Sequence, residues 1–173
     1  MSAASARQHA RRLRRKYSIA GKADVEGLAR TLGLTVQRTG DIPAGVSGVL
    51  VTRQDRSWIC VREDEPSQRQ RFTMAHELGH WYLNHQSQDG RHVHVNRGTM
   101  VSMRGRLASE GVDDKEVEAN QFAAELLMPG QEVRDEVLKL PRPLREQDIS
   151  DLAEHFDVSA QAMSFRLRNL RLA

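Results

Sequence analysis

Two histidines four residues apart, with a glutamate directly after the first, make His76-Glu77-Leu78-Gly79-His80 the stretch of this chain best suited to chemistry. Four residues is close to one helical turn, so on a helix both imidazoles share a face and can converge on one metal ion. Glu77 is turned round the helix from that axis, where it can accept a proton from activated water instead of binding the ion. Cys60 is the only cysteine, which excludes a cysteine-rich zinc centre and leaves histidines and carboxylates as ligands.

A catalytic zinc site takes three protein ligands and keeps one position open for water or substrate. The segment from Asp113 to Met128, ended by Pro129-Gly130, reads as the strongest helix in the chain and must supply the third ligand. Within it Glu116 and Asn120 share a face, and Val117, Ala124 and Met128 are expected to run beside them into the core. Spacing leaves both Glu116 and Glu118 open. It favours Glu116, because Asn120 one turn along can hydrogen-bond the outer nitrogen of a ligand histidine. His85 follows His80 by five residues, about 140° round an ideal helix. It therefore reads as a cleft residue or a cation at a helix end, not as a third histidine ligand. Tyr82, His92 and His94 are further cleft candidates for stabilising developing charge, although the alternation in His92-Val93-His94-Val95 describes a short exposed strand equally well.

These residues need elements to position them. Ser67 with Gln70 forms an expected capping box at the start of the histidine helix. Phe72, Met74, Ala75, Leu78, Trp81, Tyr82 and Leu83 fall on nearly all of its sides, so it should be buried among other elements. Gly79 weakens a helix by about 1 kcal/mol relative to alanine, which points to close approach of a neighbouring backbone there. Upstream the spacing predicts a helix over Ala4–Tyr17, a second over Val25–Leu32 with Asp24 as N-cap and Gly33 as stop, and a strand at Leu34–Val36. A hairpin is expected from Val46–Thr52 and Ser57–Arg62. Residues 86–112, interrupted by four glycines, read as a flexible loop beside the cleft. The chain closes with a helix pair within residues 144–173, Asp148–Phe156 and Ala160–Leu170.

The length of 173 residues and a 39% apolar content suit one domain spanning residues 1–173. With 28% charged residues and no apolar run of membrane-spanning length, the expectation is a soluble, cytoplasmic protein, and the isolated Cys60 fits a reducing compartment as a small core residue. The net charge of +3 is unevenly placed: residues 1–22 carry seven arginines and lysines and no acid. That segment reads as a solvated amphipathic helix, with contact to an acidic partner or nucleic acid, or a role as an organellar transit peptide, as the alternatives.

The run Arg71-Phe72-Thr73-Met74-Ala75-His76-Glu77-Leu78-Gly79-His80-Trp81-Tyr82-Leu83-Asn84-His85, followed by Glu116-Val117-Glu118-Ala119-Asn120-Gln121-Phe122 and on to Pro129, resembles the ImmA/IrrE family of zinc metallopeptidases. The similarity runs from about Val25 to Leu170. It implies an α+β, zincin-like fold in which a small twisted β-sheet packs on the active-site helix, with a C-terminal helix pair. It also implies one zinc ion per chain held by His76, His80 and Glu116, with Glu77 as general base; Asn120, His85 and Tyr82 stay candidates read from spacing alone. The implied substrate is a protein, a helix-turn-helix repressor or antitoxin from a neighbouring gene, whose cleavage relieves repression of a mobile element or stress regulon.

A DNA-binding regulator is the rival reading. Ile149–Leu170 resembles a helix-turn-helix in which Gln161, Ser164, Arg166 and Arg168 can face a duplex. Against it, Leu152, Phe156, Val158, Met163, Leu167 and Leu170 suit a pair that closes the core, and one basic helix is a thin phosphate-binding surface.

Overall fold

The computed structural model describes residues 2–54, 56–85, 91–96 and 112–173, with the backbone alone at 91–96 and 112–113. Helix α1 (Ala3–Lys16) buries Ala6, Ala10 and Leu13 at helical spacing, and Ser2 caps it by accepting the Ser5 N–H. Helix α2 (Val25–Thr31) starts as expected at Asp24, whose carboxylate accepts the Gly27 N–H at 2.9 Å. Gly33, at φ +91°, turns the chain into strand β1 (Leu34–Thr39). Strands β2 (Gly48–Arg53) and β3 (Arg56–Arg62) form the predicted hairpin.

The sheet has the order β1-β3-β2-β4, with β4 at Arg91–Asn96. Strand β3 pairs parallel with β1 (Val36 opposite Ile59) and antiparallel with β2 (Leu50 opposite Ile59), and β4 adds antiparallel to the free side of β2. The strand at 91–96 interrupts the stretch expected to be one flexible loop, so the alternating reading of His92-Val93-His94-Val95 holds for the backbone. The side chains of His92 and His94, and the rest of the loop at 86–90 and 97–111, lie outside the described residues. On β3 the side chains alternate: Ser57, Ile59 and Val61 are buried, while Trp58, Cys60 and Arg62 are half-buried on the other face. Cys60 is therefore not the core residue its apolar neighbours suggested, because strand pleating sends it opposite Ile59.

Helix α3 (Ser67–Tyr82) carries the histidine motif, and every residue from Thr73 to His80 is buried. The expected capping box does not form. Pro66 occupies the cap position, and Gln70 turns back to donate its amide to the Glu63 and Glu65 carbonyls at 3.1 and 2.8 Å. A proline there needs no amide partner and pre-sets the chain for helix entry, so Ser67 moves inside the helix. Helix α4 (Val112–Leu127) packs on α1 and α3 together, and its buried face is Ala119, Phe122, Ala123, Leu126 and Leu127. Val117, expected in the core, is 40% exposed because it points away from both partners.

Pro129-Gly130 ends α4 as predicted, but Pro129 also serves as the N-cap of a further helix, α5 (Gly130–Val137). The closing pair is α6 (Glu146–Phe156) and α7 (Ala160–Asn169), joined through Asp157 in the left-handed region. A continuous apolar cluster runs from Ala6 and Leu13 of α1, through Leu50, Ile59, Leu78 and Phe122, to Met163 and Leu167 of α7. Among the described residues no helix is long and apolar enough to cross a membrane.

The arginines of α1 are less solvated than their sequence suggested. Arg14 is 4% exposed and donates to the Leu126 carbonyl at 2.8 Å and to Glu132 at 2.7 Å. Arg7 reaches Gln121 and Arg11 reaches Glu125. The acids missing from the N-terminal segment are thus supplied by α4 and α5. Likewise Arg166, counted among the duplex-facing residues, is 3% exposed, donates to the Met128 carbonyl and pairs with Glu125, so it is turned into the protein.

Candidate metal centre

Helix α3 sets the first two groups by its own geometry. The Nε2 atoms of His76 and His80 stand 3.0 Å apart, both on buried side chains. Helix α4 crosses the same face and brings Glu116 to them, with Oε2 3.3 Å from His76 Nε2 and Oε1 3.2 Å from His80 Nε2. The crossing is close because Gly79 has no side chain: a Cβ there would lie 3.1 Å from the Phe122 ring and 3.3 Å from the Ala119 Cα and carbonyl oxygen. The predicted approach of a neighbouring backbone at Gly79 is therefore present, and the backbone is that of α4.

The ligand atoms of His76, His80 and Glu116 all lie within 4.8 Å of one another, so the three could hold a metal ion. Their outer atoms fit that use. The Nδ1–H of His76 donates to Asn120 Oδ1 at 3.0 Å, which leaves Nε2 as its acceptor nitrogen. His80 Nδ1 lies 3.1 Å from His85 Nδ1, and His85 Nε2 lies 2.9 Å from a Glu118 carboxylate oxygen. One proton arrangement satisfies this chain. Glu118 accepts from His85 Nε2–H, His85 Nδ1 accepts from His80 Nδ1–H, and His80 keeps Nε2 as its acceptor. Two imidazole acceptors and a carboxylate converging in this way suit a divalent cation of nitrogen and oxygen preference.

The His80–His85–Glu118 chain is enclosed, with the three side chains 2%, 6% and 5% exposed. Burial pushes the His85 imidazole below its ordinary value, against the upward pull of the hydrogen bond and charge of Glu118. A neutral His85 is the form that can accept from His80. Lys115 braces the same turn by donating to the His85 carbonyl at 3.3 Å. By contrast, the Glu116 side chain is 33% exposed, so the triangle of ligand atoms opens toward solvent on that side.

Of the residues singled out from sequence, His76, His80, Glu116, Asn120 and His85 come together here. Glu77 is fully buried on the same turn as His76. Tyr82 does not join them: its ring lies edge-on to His9 of α1 and tilted against Phe122 of α4, because two residues past His80 the helix faces elsewhere. The role of Glu118 was not legible as it stands. Spacing offers it only as a rival ligand, and its proximity to His85, 33 residues earlier, has no linear signal.

The sequence and the fold have counterparts among known proteins. Residues 29–168 match the sequence profile of the Peptidase M78 family, described as the IrrE N-terminal-like domain. No curated protein shows a significant match. Among solved structures, a Mycobacterium tuberculosis transcriptional regulator superposes with a TM-score of 0.62 at 17% sequence identity, over 94% of this chain and 46% of that one. At that identity the likeness concerns the fold alone, and this chain spans about half the length of that regulator. A match over most of the chain, an α+β zincin-like fold and a His-His-Glu group that could hold a metal ion place this chain in the Peptidase M78 metallopeptidase family, as an IrrE N-terminal-like domain.

Proposed function

We propose that this chain is a zinc-dependent endopeptidase that hydrolyses a peptide bond in a protein substrate, with His76, His80 and Glu116 holding the ion and Glu77 as general base. The convergence of the three ligand groups, with both histidines held from behind in the matching tautomer, supports this most directly. His76, His80 and Glu116 would hold the zinc ion, which when bound would supply Lewis-acid chemistry: a more acidic water and a polarised scissile carbonyl.

The remaining steps fall to the chain's own side chains. Glu77 takes a proton from the attacking water and passes it to the leaving amine nitrogen, the two halves of general acid–base catalysis by one carboxylate. Asn120 holds the His76 ring, and His85 with Glu118 holds that of His80, so that neither ligand has to reorient as charge develops. The exposed side of Glu116 is where an extended peptide would enter. A helix-turn-helix repressor is the substrate we favour, on the family resemblance.

The test is direct. Zinc-loaded wild-type protein incubated with the repressor encoded beside its gene should yield one defined cut by mass spectrometry. Glu77→Gln should retain zinc yet cut slower by about 10²–10⁴-fold. A Glu77→Gln protein that cuts at the wild-type rate would overturn the assignment.

A further inference from the structure

Away from the histidines, residues of α1, α4, α5 and the end of α7 line a polar cavity of about 410 Å3 that is open to solvent on one side, within the usual range for small-molecule sites. Four guanidinium groups line it, those of Arg7 and Arg11 from α1, Arg134 from α5 and Arg166 from α7, and Glu125 of α4 is the one carboxylate among the lining residues. Among the described residues the cavity lining therefore carries three positive charges in excess.

Glu125 is already committed. One oxygen accepts from Arg11 at 2.7 Å and from the Gly130 N–H at 3.2 Å, and the other accepts from Arg166. Arg7 is held by Gln121, and Arg134 by the carbonyl one turn before it at 3.1 Å. These bonds use one or two of the five N–H groups each guanidinium offers. The cations also work against one another: burial pushes the Arg166 guanidinium down, and Arg7 and Arg11 add to that against the pull of Glu125. A further anion would relieve this repulsion where a fifth protein group does not.

We propose that this cavity binds a compact small molecule carrying phosphate groups, gripped by the unspent N–H groups of Arg7, Arg11, Arg134 and Arg166. Planar guanidinium forks match phosphate oxygens in pairs, and several converging forks suit a diphosphate better than a single carboxylate. The concave shape, with buried Arg166 and Glu125 at its base, suits a compact ligand and not a duplex, whose backbone is met by extended surfaces. This site stands apart from the metal centre and does not depend on the peptidase assignment.

Calorimetric titration of the full chain with inorganic pyrophosphate, and separately with ADP, tests it. The protein is first stripped of metal and dialysed free of chelator, so that phosphate uptake at the histidine centre does not contribute. Saturable binding with Kd below about 1 mM is expected. Arg134→Gln should weaken it at least about tenfold, since among the described residues that side chain bonds within its own helix. Arg15→Gln, exposed on α1 and outside the lining, should leave it unchanged. If Arg134→Gln melts below wild type, Arg7→Gln takes its place, with the same expected loss. Binding of pyrophosphate alone identifies an inorganic diphosphate site, and binding of both ligands a site for diphosphate esters; either supports the proposal. No saturable binding, equal weakening by Arg134→Gln and Arg15→Gln, or displacement of pyrophosphate by duplex DNA at matched phosphate concentration would each overturn it.

Discussion

Replacing His85 by alanine separates metal holding from folding. The substitution removes the acceptor 3.1 Å from His80 Nδ1 and leaves the Glu118 carboxylate without the imidazole 2.9 Å away. Loss of such an outer partner costs about 10–100-fold in metal affinity, or roughly 1.4–2.7 kcal/mol. The mechanism is specific: His85, accepting at its Nδ1, favours the tautomer of His80 that points an acceptor nitrogen at His76 and Glu116. Folding has its own, comparable stake in the lost buried hydrogen bonds, about 1–3 kcal/mol. Competitive zinc titration against a chromophoric chelator, with urea unfolding of the metal-free protein in parallel, reads the two effects separately. The expected outcome is weaker zinc binding in His85→Ala and partial recovery in His85→Gln, whose amide can accept at one end and donate at the other. Zinc affinity within about twofold of wild type, alongside a clear loss of apo stability, would refute a positioning role for His85.

Other outcomes follow from the same geometry. Asn120→Leu should weaken zinc by a similar factor through His76, and combined with His85→Ala the losses should nearly add, because the two act on different ligands; strong non-additivity in the titrations would contradict this. Gly79→Ala improves helix propensity by about 1 kcal/mol but forces a Cβ against the α4 backbone at 3.3 Å, an overpacking cost of about 1–3 kcal/mol. A net loss of stability in urea, with weaker zinc binding as α4 is pushed off α3, is expected. Glu125→Gln should destabilise the fold by about 3 kcal/mol, since it strands the buried Arg166 charge, as a chemical-denaturation series would measure. Burial pushes the Glu125 carboxyl up, but the Arg166 charge and the bonds from Arg11, Arg166 and Gly130 bring it below its ordinary value. A depressed carboxylate contributes its stability above the unfolded value near 4.5 and loses it as pH falls through the folded one, so the acid limb of a wild-type melt should flatten in Glu125→Gln.

What the sequence determined by itself was whatever is written within a turn or two of chain. The spacing of His76 and His80 sets both imidazoles on one helical face, Asp24 and Ser159 cap their helices, and pleating fixes which residues of the hairpin face inward. Local chemistry misled where two local rules competed, and also at Cys60, whose apolar neighbours pointed to the core while the pleat turned it to the other face. Pro66 displaced Ser67 from the cap, and Pro129 both stopped one helix and opened the next. Tertiary packing decided the rest, because a side chain's partner across 33 or 44 residues depends on how helices cross and not on any period in the chain. The crossing of α3 and α4 over Gly79 brought Glu116 to the histidines, gave Glu118 to His85 and turned Val117 outward. The packing of α1 on α4 likewise turned a basic stretch without acids of its own into a set of bonds to Gln121, Glu125 and Glu132. Charges that read as solvated in one dimension found their partners in three, since only the folded chain sets which helices are neighbours.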